Sequence, residues 1–301
     1  MENINDSIHI RYLITNEQDA LWGLTINTVG YQHIDVDGSY PPGNHPTRYL
    51  FSTQRGRVLD EYQLLYLSRG KGYFTSKNCN RTEIREGHFF LLFPGEWHNY
   101  EPQKEVGWDE YWIGFNGINM NSRVQNGFFS KTKPIFNVGI DEEIVQLYRL
   151  AIQVAKKQEA GFQQMLAGIV NHLLGLAYSK DKLSTFEDLQ VANQISKAKI
   201  IMLDSYATKE IKLEEIALQV NMSYSWFRRI FRQYTGFSPS QYLQELRLQK
   251  SKDLLTNTVK SIKEIAYDVG FENADYFCTA FRKKLGLTPK NYRDLTQGNN
   301  L

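Results

Sequence analysis

Cysteine is nearly absent from this chain of 301 residues, which has only Cys79 and Cys278. Two thiols in segments of different character make no disulfide framework, so buried apolar surface has to hold the fold, and both are expected to be reduced. Long apolar runs are missing too. None approaches the length that crosses a bilayer, and Met1 to Ile10 is polar and acidic, unlike a secretion signal. The expectation is a soluble cytoplasmic protein without a membrane partner. A phosphate-cradling glycine loop is lacking, as is a nucleophile with a nearby base, so the chain is not expected to be an enzyme and no cofactor is expected.

The net charge of +2 is small but unevenly spread. Residues 191 to 301 hold 17 Lys+Arg against 11 Asp+Glu, net +6, leaving 18 against 22, net −4, for residues 1 to 190. Positive charge gathered on one domain is the electrostatic footprint of phosphate binding.

That basic segment repeats itself. Leu213 to Val220 followed by Ser223 to Arg232, with Gly236, Pro239 and Tyr242 behind, is matched by Ile262 to Phe271 followed by Asp275 to Arg282, with Gly286, Pro289 and Tyr292. The offset is 49 at Ile216/Ile265 and Val220/Val269 but 50 at Phe227/Phe277, Phe231/Phe281 and Gly236/Gly286, so one residue was gained in the turn. Each copy has a short amphipathic helix, a turn, and a second helix with apolar positions at i and i+4. This is the layout of a helix-turn-helix, whose second helix reads base edges from its N-terminal end. In the first copy Ser223 is expected to cap that helix, Phe227, Ile230 and Phe231 to face inward, and Ser225, Arg228, Arg229 and Arg232 to face the DNA. In the second copy Asp275, Cys278 and Thr279 are left outward, with Arg282 and Lys283 nearer the phosphates. Arginine reads guanine best, because its forked donors match O6 and N7, so the second copy is expected to be the weaker reader. Between the copies, Pro239 to Leu255 fits one helix of about 25 Å, a strut that could set two reading helices in successive major grooves.

Glu264-Ile265-Ala266, Val269-Gly270-Phe271, Tyr276-Phe277, Phe281-Arg282-Lys283, Gly286, Thr288-Pro289 and Tyr292-Arg293, with Arg247-Leu248 and Leu254-Leu255, resemble the signature of AraC/XylS-type transcription regulators. The resemblance covers about one hundred residues and implies a seven-helix domain that binds double-stranded promoter DNA. Asn221-Met222 departs from the commoner, less polar turn.

The first half reads differently. Tyr62 to Leu67, Tyr73 to Thr75, Gly87 to Phe93 and Tyr111 to Phe115 are short aromatic and β-branched runs, parted by glycine turns such as Gly70-Lys71-Gly72. They predict a small barrel or sandwich over about residues 20–135, with a loop marked by Pro41-Pro42-Gly43-Asn44 ahead of it. After Pro134 the apolar period becomes helical over Glu142 to Gln158 and Phe162 to Tyr178, as in Ile144, Leu147, Tyr148, Ala151 and in Met165, Ile169, His172, Leu173, Leu176. Such stripes exceed what a small barrel could cover, which predicts a homodimer through residues 1–180. A polar linker is expected over 181–190, ahead of the DNA-binding domain at 191–301.

Gly87, Pro94-Gly95 and His98 resemble the second motif of cupin barrels. A cupin metal site would also need His-x-His with a following Glu on an earlier strand, yet residues 62 to 75 contain no histidine, so no metal site is expected. What remains is an aromatic and polar cluster of Trp97, Tyr100, Trp108, Tyr111 and Trp112 with Arg55, Arg57, His98 and Glu110, suited to stacking on a sugar ring and hydrogen-bonding its hydroxyls. The stretch from Arg55 to Phe115 is similar to the N-terminal domain of arabinose-type regulators. That resemblance implies ligand contacts from Arg55, Tyr100, Glu110 and Trp112, with His98 as a neighbour; Glu110 stands where the arabinose-binding member uses histidine. The expected protein is a cupin-like sensor barrel with helices, followed by an all-α domain carrying two helix-turn-helix motifs. It would activate carbohydrate-utilisation genes with the transcription machinery in response to a carbohydrate effector. Two alternatives are a barrel that only dimerises and a cupin enzyme with an appended DNA-binding domain.

Overall fold

A computed structural model describes residues 8–41, 55–184, 189–208 and 211–298. The chain divides into two compact units, Met1–Thr185 and Phe186–Leu301.

Among the described residues of the first unit nine strands, β1 (Ile8–Tyr12), β2 (Thr25–Ile34), β3 (Arg57–Val58), β4 (Tyr62–Ser76), β5 (Cys79–Arg85), β6 (His88–Leu92), β7 (Trp97–Pro102), β8 (Trp108–Asn116) and β9 (Ile135–Asn137), form an antiparallel system in the order β1-β2-β8-β4-β6-β9. β7 and β5 pair with the far half of β4. Two short helices, α1 (Glu17–Leu21) and α2 (Ile118–Gln125), precede β2 and follow β8. β4 explains why one expectation failed. Gly70-Lys71-Gly72 is not a turn between strands but a bend inside one strand of 15 residues, with a register shift between Leu67 and Arg69. Gly70 has φ +87°, and a side chain there would strike the backbone of Gly107 and Trp108, so the bulge lets β4 turn a corner and serve two sets of partners. Residues 42–44 of the expected Pro-Gly loop lie outside the described residues.

Strand periodicity divides the side chains between two cores. Tyr62, Leu64 and Tyr66 of β4, Phe89 and Leu91 of β6, and Tyr111, Ile113 and Phe115 of β8 pack with the helices α3 (Glu142–Lys157) and α4 (Phe162–Ser184). Their alternates Leu65, Leu67, Phe90, Leu92, Trp108 and Trp112 point the other way and fill the interior with Phe74 and Tyr100. The helical stripes are covered within the chain itself: Ile144, Tyr148, Ala151, Leu166, Val170, Leu173, Leu174 and Ala177 are all buried against the sheet. The premise for a dimer, that a small barrel could not cover them, is therefore corrected. The α4 stripe is also displaced from the expected one, since Met165 is 55 % exposed and His172 faces outward toward Glu143, 3.3 Å away.

Two polar contacts fasten the helices to the strands. Tyr148 donates its hydroxyl to the Leu64 carbonyl at 2.8 Å. β2 slips by one residue at Asn27, and beside the slip the buried Gln163 side chain bonds both the N–H and the carbonyl of Ile26 at 2.9 and 3.0 Å, so these buried backbone groups are paired.

The second unit has α5 (Leu189–Ser205), α6 (Leu213–Gln219), α7 (Tyr224–Thr235), α8 (Pro239–Asn257), α9 (Ile262–Asp268), α10 (Ala274–Leu285) and α11 (Pro289–Thr296). Of the segment expected as linker, residues 181–184 complete α4 and 189–190 open α5; residues 185–188 lie outside the described residues.

The two copies build the same object. Phe227 meets Phe231 at 5.3 Å and 62°, Phe277 meets Phe281 at 5.6 Å and 62°, and Tyr242 and Tyr292 pack edge-on against Phe231 and Phe281, each at 76°. In the turns, Asn221 and Gly270 occupy the same place with φ +56° and +87°. Met222 and Phe271 follow, each buried and each returning its N–H to Ala217 or Ala266 at 2.9 Å. Asparagine is among the few non-glycine residues that adopt this left-handed conformation readily, so the unusual Asn221 preserves the turn. Each copy has its own core, and α8 contributes to both.

Candidate functional site

The interior of the first unit holds a cavity lined by residues from β1, β2, β4, β7 and β8 with Tyr40, Pro41 and Arg57, among them Thr28, Gln32, Gln63, Tyr100, Glu110 and Trp112. Its free volume is only about 20 Å³, room for little more than a water molecule. Tyr40 accounts for this tightness. Its ring lies edge-on to Trp108 at 5.4 Å and 6.2 Å from Tyr100, and its hydroxyl donates to Glu110 Oε1 at 3.3 Å.

Strand pairing explains the lining. Gly30 stands opposite Trp112, and a side chain on it would collide with the indole, so this glycine gives the ring its place. Gln32 stands opposite Glu110 on the same pair of strands. Both are almost fully buried, and Gln32 Nε2 and Glu110 Oε2 are sealed from solvent with no hydrogen-bond partner among the described residues. A buried polar atom left unpaired costs about 1–3 kcal/mol, so two side by side mark a place where a polar guest would be stabilised. Burial pushes the Glu110 carboxyl up to about 8, against the opposing influences of the Tyr40 hydroxyl and the Arg57 charge. It is thus largely protonated at neutral pH and can donate as well as accept.

Arg57 donates to the Tyr100 hydroxyl at 2.6 Å and to His98 Nε2 at 3.3 Å. His98 Nδ1 faces the Glu96 carbonyl at 3.1 Å, which sets the neutral tautomer with Nε2 as acceptor. Burial first, and then the Arg57 charge, lower its pKa to about 4. Among the described residues no three His, Cys, Asp or Glu side chains are grouped to hold a metal ion.

The structure brings Arg57, Tyr100, Glu110 and Trp112 together but not the whole expected set. Arg55 is exposed and contributes only its carbonyl, which accepts from Trp97 Nε1 at 2.8 Å; Arg57, two residues on and paired with His98 across β3 and β7, is the arginine that reaches the cavity. Trp108 is fully buried behind Tyr40, and His98 supports Arg57 from outside the lining. Thr28, Gln32, Tyr40 and Gln63 were missed by the sequence reading. The signal available was polar residues at inward positions of strands, as Gln63 stands between Tyr62 and Leu64.

In the second unit Ser225, Arg228, Arg229 and Arg232 are exposed on α7, and the three arginines make no ion pair or hydrogen bond among the described residues. Ser223 takes the N-cap position, but its hydroxyl makes no capping bond, a departure from expectation. On α10 the cap is Asn273, whose side chain accepts from Asp275 and Tyr276 N–H groups. Asp275, Thr279, Arg282 and Lys283 are exposed; Thr279 spends its hydroxyl on the Asp275 carbonyl at 2.9 Å. Cys278 is half-buried and packs on the core rather than pointing fully outward, because α10 turns that side toward Phe277 and Phe281. Ile230 is likewise half-buried. No helix among the described residues is long and apolar enough to cross a membrane.

Comparison with known proteins agrees with both units. The AraC-like ligand binding domain matches residues 42–179 and a helix-turn-helix domain matches residues 216–294. The chain is 27 % identical over 246 residues to the Msm operon regulatory protein of Streptococcus mutans, covering 80 % of this chain and 87 % of that one. It is 25 % identical over 248 residues to the raffinose operon transcriptional regulatory protein RafR of Pediococcus pentosaceus, covering 81 % and 88 %. With the lactose operon transcription activator of Staphylococcus xylosus it shares 24 % identity over 240 residues, covering 78 % and 85 %. A cupin-like ligand-binding domain followed by two helix-turn-helix motifs on one helical scaffold, matched over most of the chain by regulators of the same build, makes this chain a member of the AraC/XylS-type family of DNA-binding transcription regulators.

Proposed function

We propose that the chain is an activator of carbohydrate-utilisation genes that senses a sugar in the cavity of its first unit. The observation that carries this reading is the pair Gln32 Nε2 and Glu110 Oε2, both buried beside Trp112 with no hydrogen-bond partner among the described residues. A sugar hydroxyl placed between them accepts from the amide and bonds the carboxyl, while the indole takes the C–H face of the ring. Arg57 and Tyr100 supply further polar contacts. Tyr40, which lines the cavity and bonds Glu110, has to give up that place for a sugar to reach the carboxyl. The raffinose and lactose operon regulators among the relatives support a carbohydrate effector.

For DNA, Ser225, Arg228 and Arg229 on α7 read base edges, with Arg232 on the phosphates. α10 contributes mainly backbone contacts through Arg282 and Lys283, with Ser223, Asp275, Cys278 and Thr279 as lesser neighbours. The protein acts as a homodimer on paired sites of double-stranded promoter DNA and engages the transcription machinery.

Titration of the full-length protein with neutral mono- and oligosaccharides, followed by thermal unfolding, tests the sensor, since a ligand of the folded state raises the unfolding temperature. The small free volume with Tyr40 in place favours a second reading, in which the barrel serves only to dimerise. No shift with any sugar, for Tyr40→Ala as well as the unmodified protein, would support that second reading.

A further inference from the structure

Beneath the cavity lies a carboxylate that the sensing scheme does not use. Glu61 is 2 % exposed, sits just before β4, and accepts hydrogen bonds from Asn27 Nδ2 at 2.9 Å, Thr28 Oγ1 at 3.3 Å and Gln63 Nε2 at 2.7 Å. Successive strand residues normally point to opposite faces, so Asn27 and Thr28 could not both reach one group on a regular strand. The bulge of β2 at Asn27 makes it possible. Gly114, across from Thr28, completes the arrangement: a side chain there would strike both the Thr28 hydroxyl and the Glu61 carboxyl.

The network decides which atoms the cavity floor presents. Thr28 and Gln63 both line the cavity and both direct their donors away from it, into Glu61. With Nε2 of Gln63 committed to a carboxylate, the amide cannot be flipped, and its Oε1, which takes no hydrogen bond among the described residues, is the end left for a guest. Thr28 likewise offers lone pairs. The floor is therefore mainly accepting, the second N–H of the Gln63 amide apart. The one cationic side chain in the lining among the described residues, Arg57, is engaged with Tyr100 and His98. A guest at the floor is held best by donating, as hydroxyls do, and a carboxylate or phosphate there would set lone pairs against those of Gln63 and Thr28, with the Glu61 carboxylate behind them.

Resting on the sensor reading above, we propose that Glu61 sets the hydrogen-bond sense of the cavity floor, so that the site takes a neutral polyhydroxylated ligand and rejects its anionic counterparts. Glu61 is then a positioning residue, acting on the ligand only through Gln63 and Thr28.

The test uses full-length protein and calorimetric titration with D-galactose, lactose and raffinose as neutral probes, and D-galacturonate and D-galactose 1-phosphate as anionic ones. The unmodified protein should bind at least one neutral probe and bind both anions at least tenfold more weakly. Glu61→Gln keeps the shape but lets the Gln63 amide turn over. It should lose about tenfold in affinity for the neutral probe and narrow the gap to the anions, while Gln63→Met should lose affinity for the neutral probe with Glu61 in place. A merely structural Glu61 would change the unfolding temperature but leave the ratio of neutral to anionic affinity alone. An unchanged ratio in Glu61→Gln, or equal binding of anions by the unmodified protein, overturns the inference and leaves the sensor standing. If none of the five probes binds the unmodified protein, the carbohydrate reading fails and this inference with it.

Discussion

Glu110→Gln is the substitution whose effect follows most directly from the structure. The carboxyl is 3 % exposed, and burial raises it from 4.5 to about 8. In the unfolded chain it titrates near its ordinary value, so between about 4.5 and 8 the folded state holds the proton more tightly. Stability is therefore full below about 4.5, falls as the pH rises through this window, and levels off above 8. A shift from 4.5 to about 8, at about 1.4 kcal/mol per pH unit, amounts to about 5 kcal/mol, of which about 4 kcal/mol is lost between pH 5 and pH 9. The amide introduced by Glu110→Gln carries no ionisation penalty and retains an acceptor for Tyr40. The other buried acid, Glu61, is raised mainly by burial too, but it is present in both proteins and cancels in the comparison. Urea unfolding followed by tryptophan fluorescence suits the measurement, because four of the five tryptophans, at positions 22, 97, 108 and 112, lie in the first unit. Glu110→Gln should be close to the unmodified protein at pH 5 and more stable by several kcal/mol at pH 9. A difference that stays constant from pH 5 to pH 9 would refute the reasoning, since it would mean that Glu110 is already ionised in the fold.

The remaining expectations concern both units. Arg228→Ala or Arg229→Ala should weaken specific DNA binding by about 1–3 kcal/mol and relax preference at one base position, whereas Lys283→Ala should weaken all sequences alike, as footprinting at fixed salt would show. Phe231→Ala and Phe281→Ala should each cost about 3–5 kcal/mol of stability, because each ring is fully buried between a phenylalanine and a tyrosine, and urea melts would read the loss. Leu173→Asp should unfold the first unit rather than release monomers, since Leu173 lies wholly inside its core; a folded monomer in light scattering would contradict that.

How far the sequence could be read depended on which contacts are local. The pattern of the helix-turn-helix copies was legible because their packing partners lie within a turn or two, as Phe227 with Phe231, although the Ser223 cap and the outward Cys278 were misread. In the first unit the aromatic runs announced strands, but the pairing that decides which residues share a face joins residues far apart in the chain, as Leu65 with Trp112. A one-residue bulge moves every following side chain to the other face, and the bulges at Asn27 and near Ser68 left no clear mark in composition. Arg55 and Arg57 stand at the same parity, so alternation could not choose between them. Only the pairing of Arg57 with His98 and its reach to Tyr100 does. Gln32 was invisible for a similar reason, because its partner across the sheet, Glu110, lies 78 positions away.

The two reading helices, built on one plan, differ in what they leave exposed, and this bears on how the domain can bind. α7 presents Arg228, Arg229 and Arg232 free of ion pairs among the described residues, whereas the basic end of α10 is partly tied down, with Lys284 on Glu245 of α8 at 2.7 Å. At the N-terminal end, where base edges are met, α7 starts with a Ser223 hydroxyl that makes no capping bond, while α10 starts with Asn273 already holding two backbone N–H groups and with the acidic Asp275. An acidic side chain stabilises a helix N-terminus but opposes the phosphates beside a major groove. Specificity should therefore rest on the first copy, with the second serving as an anchor whose orientation is held by the shared α8. Asp275→Asn keeps the shape and removes that repulsion, so it should tighten binding to unrelated duplexes as much as to the operator. If operator binding alone improved or worsened, α10 would be a base reader and the division of labour between the copies would be wrong.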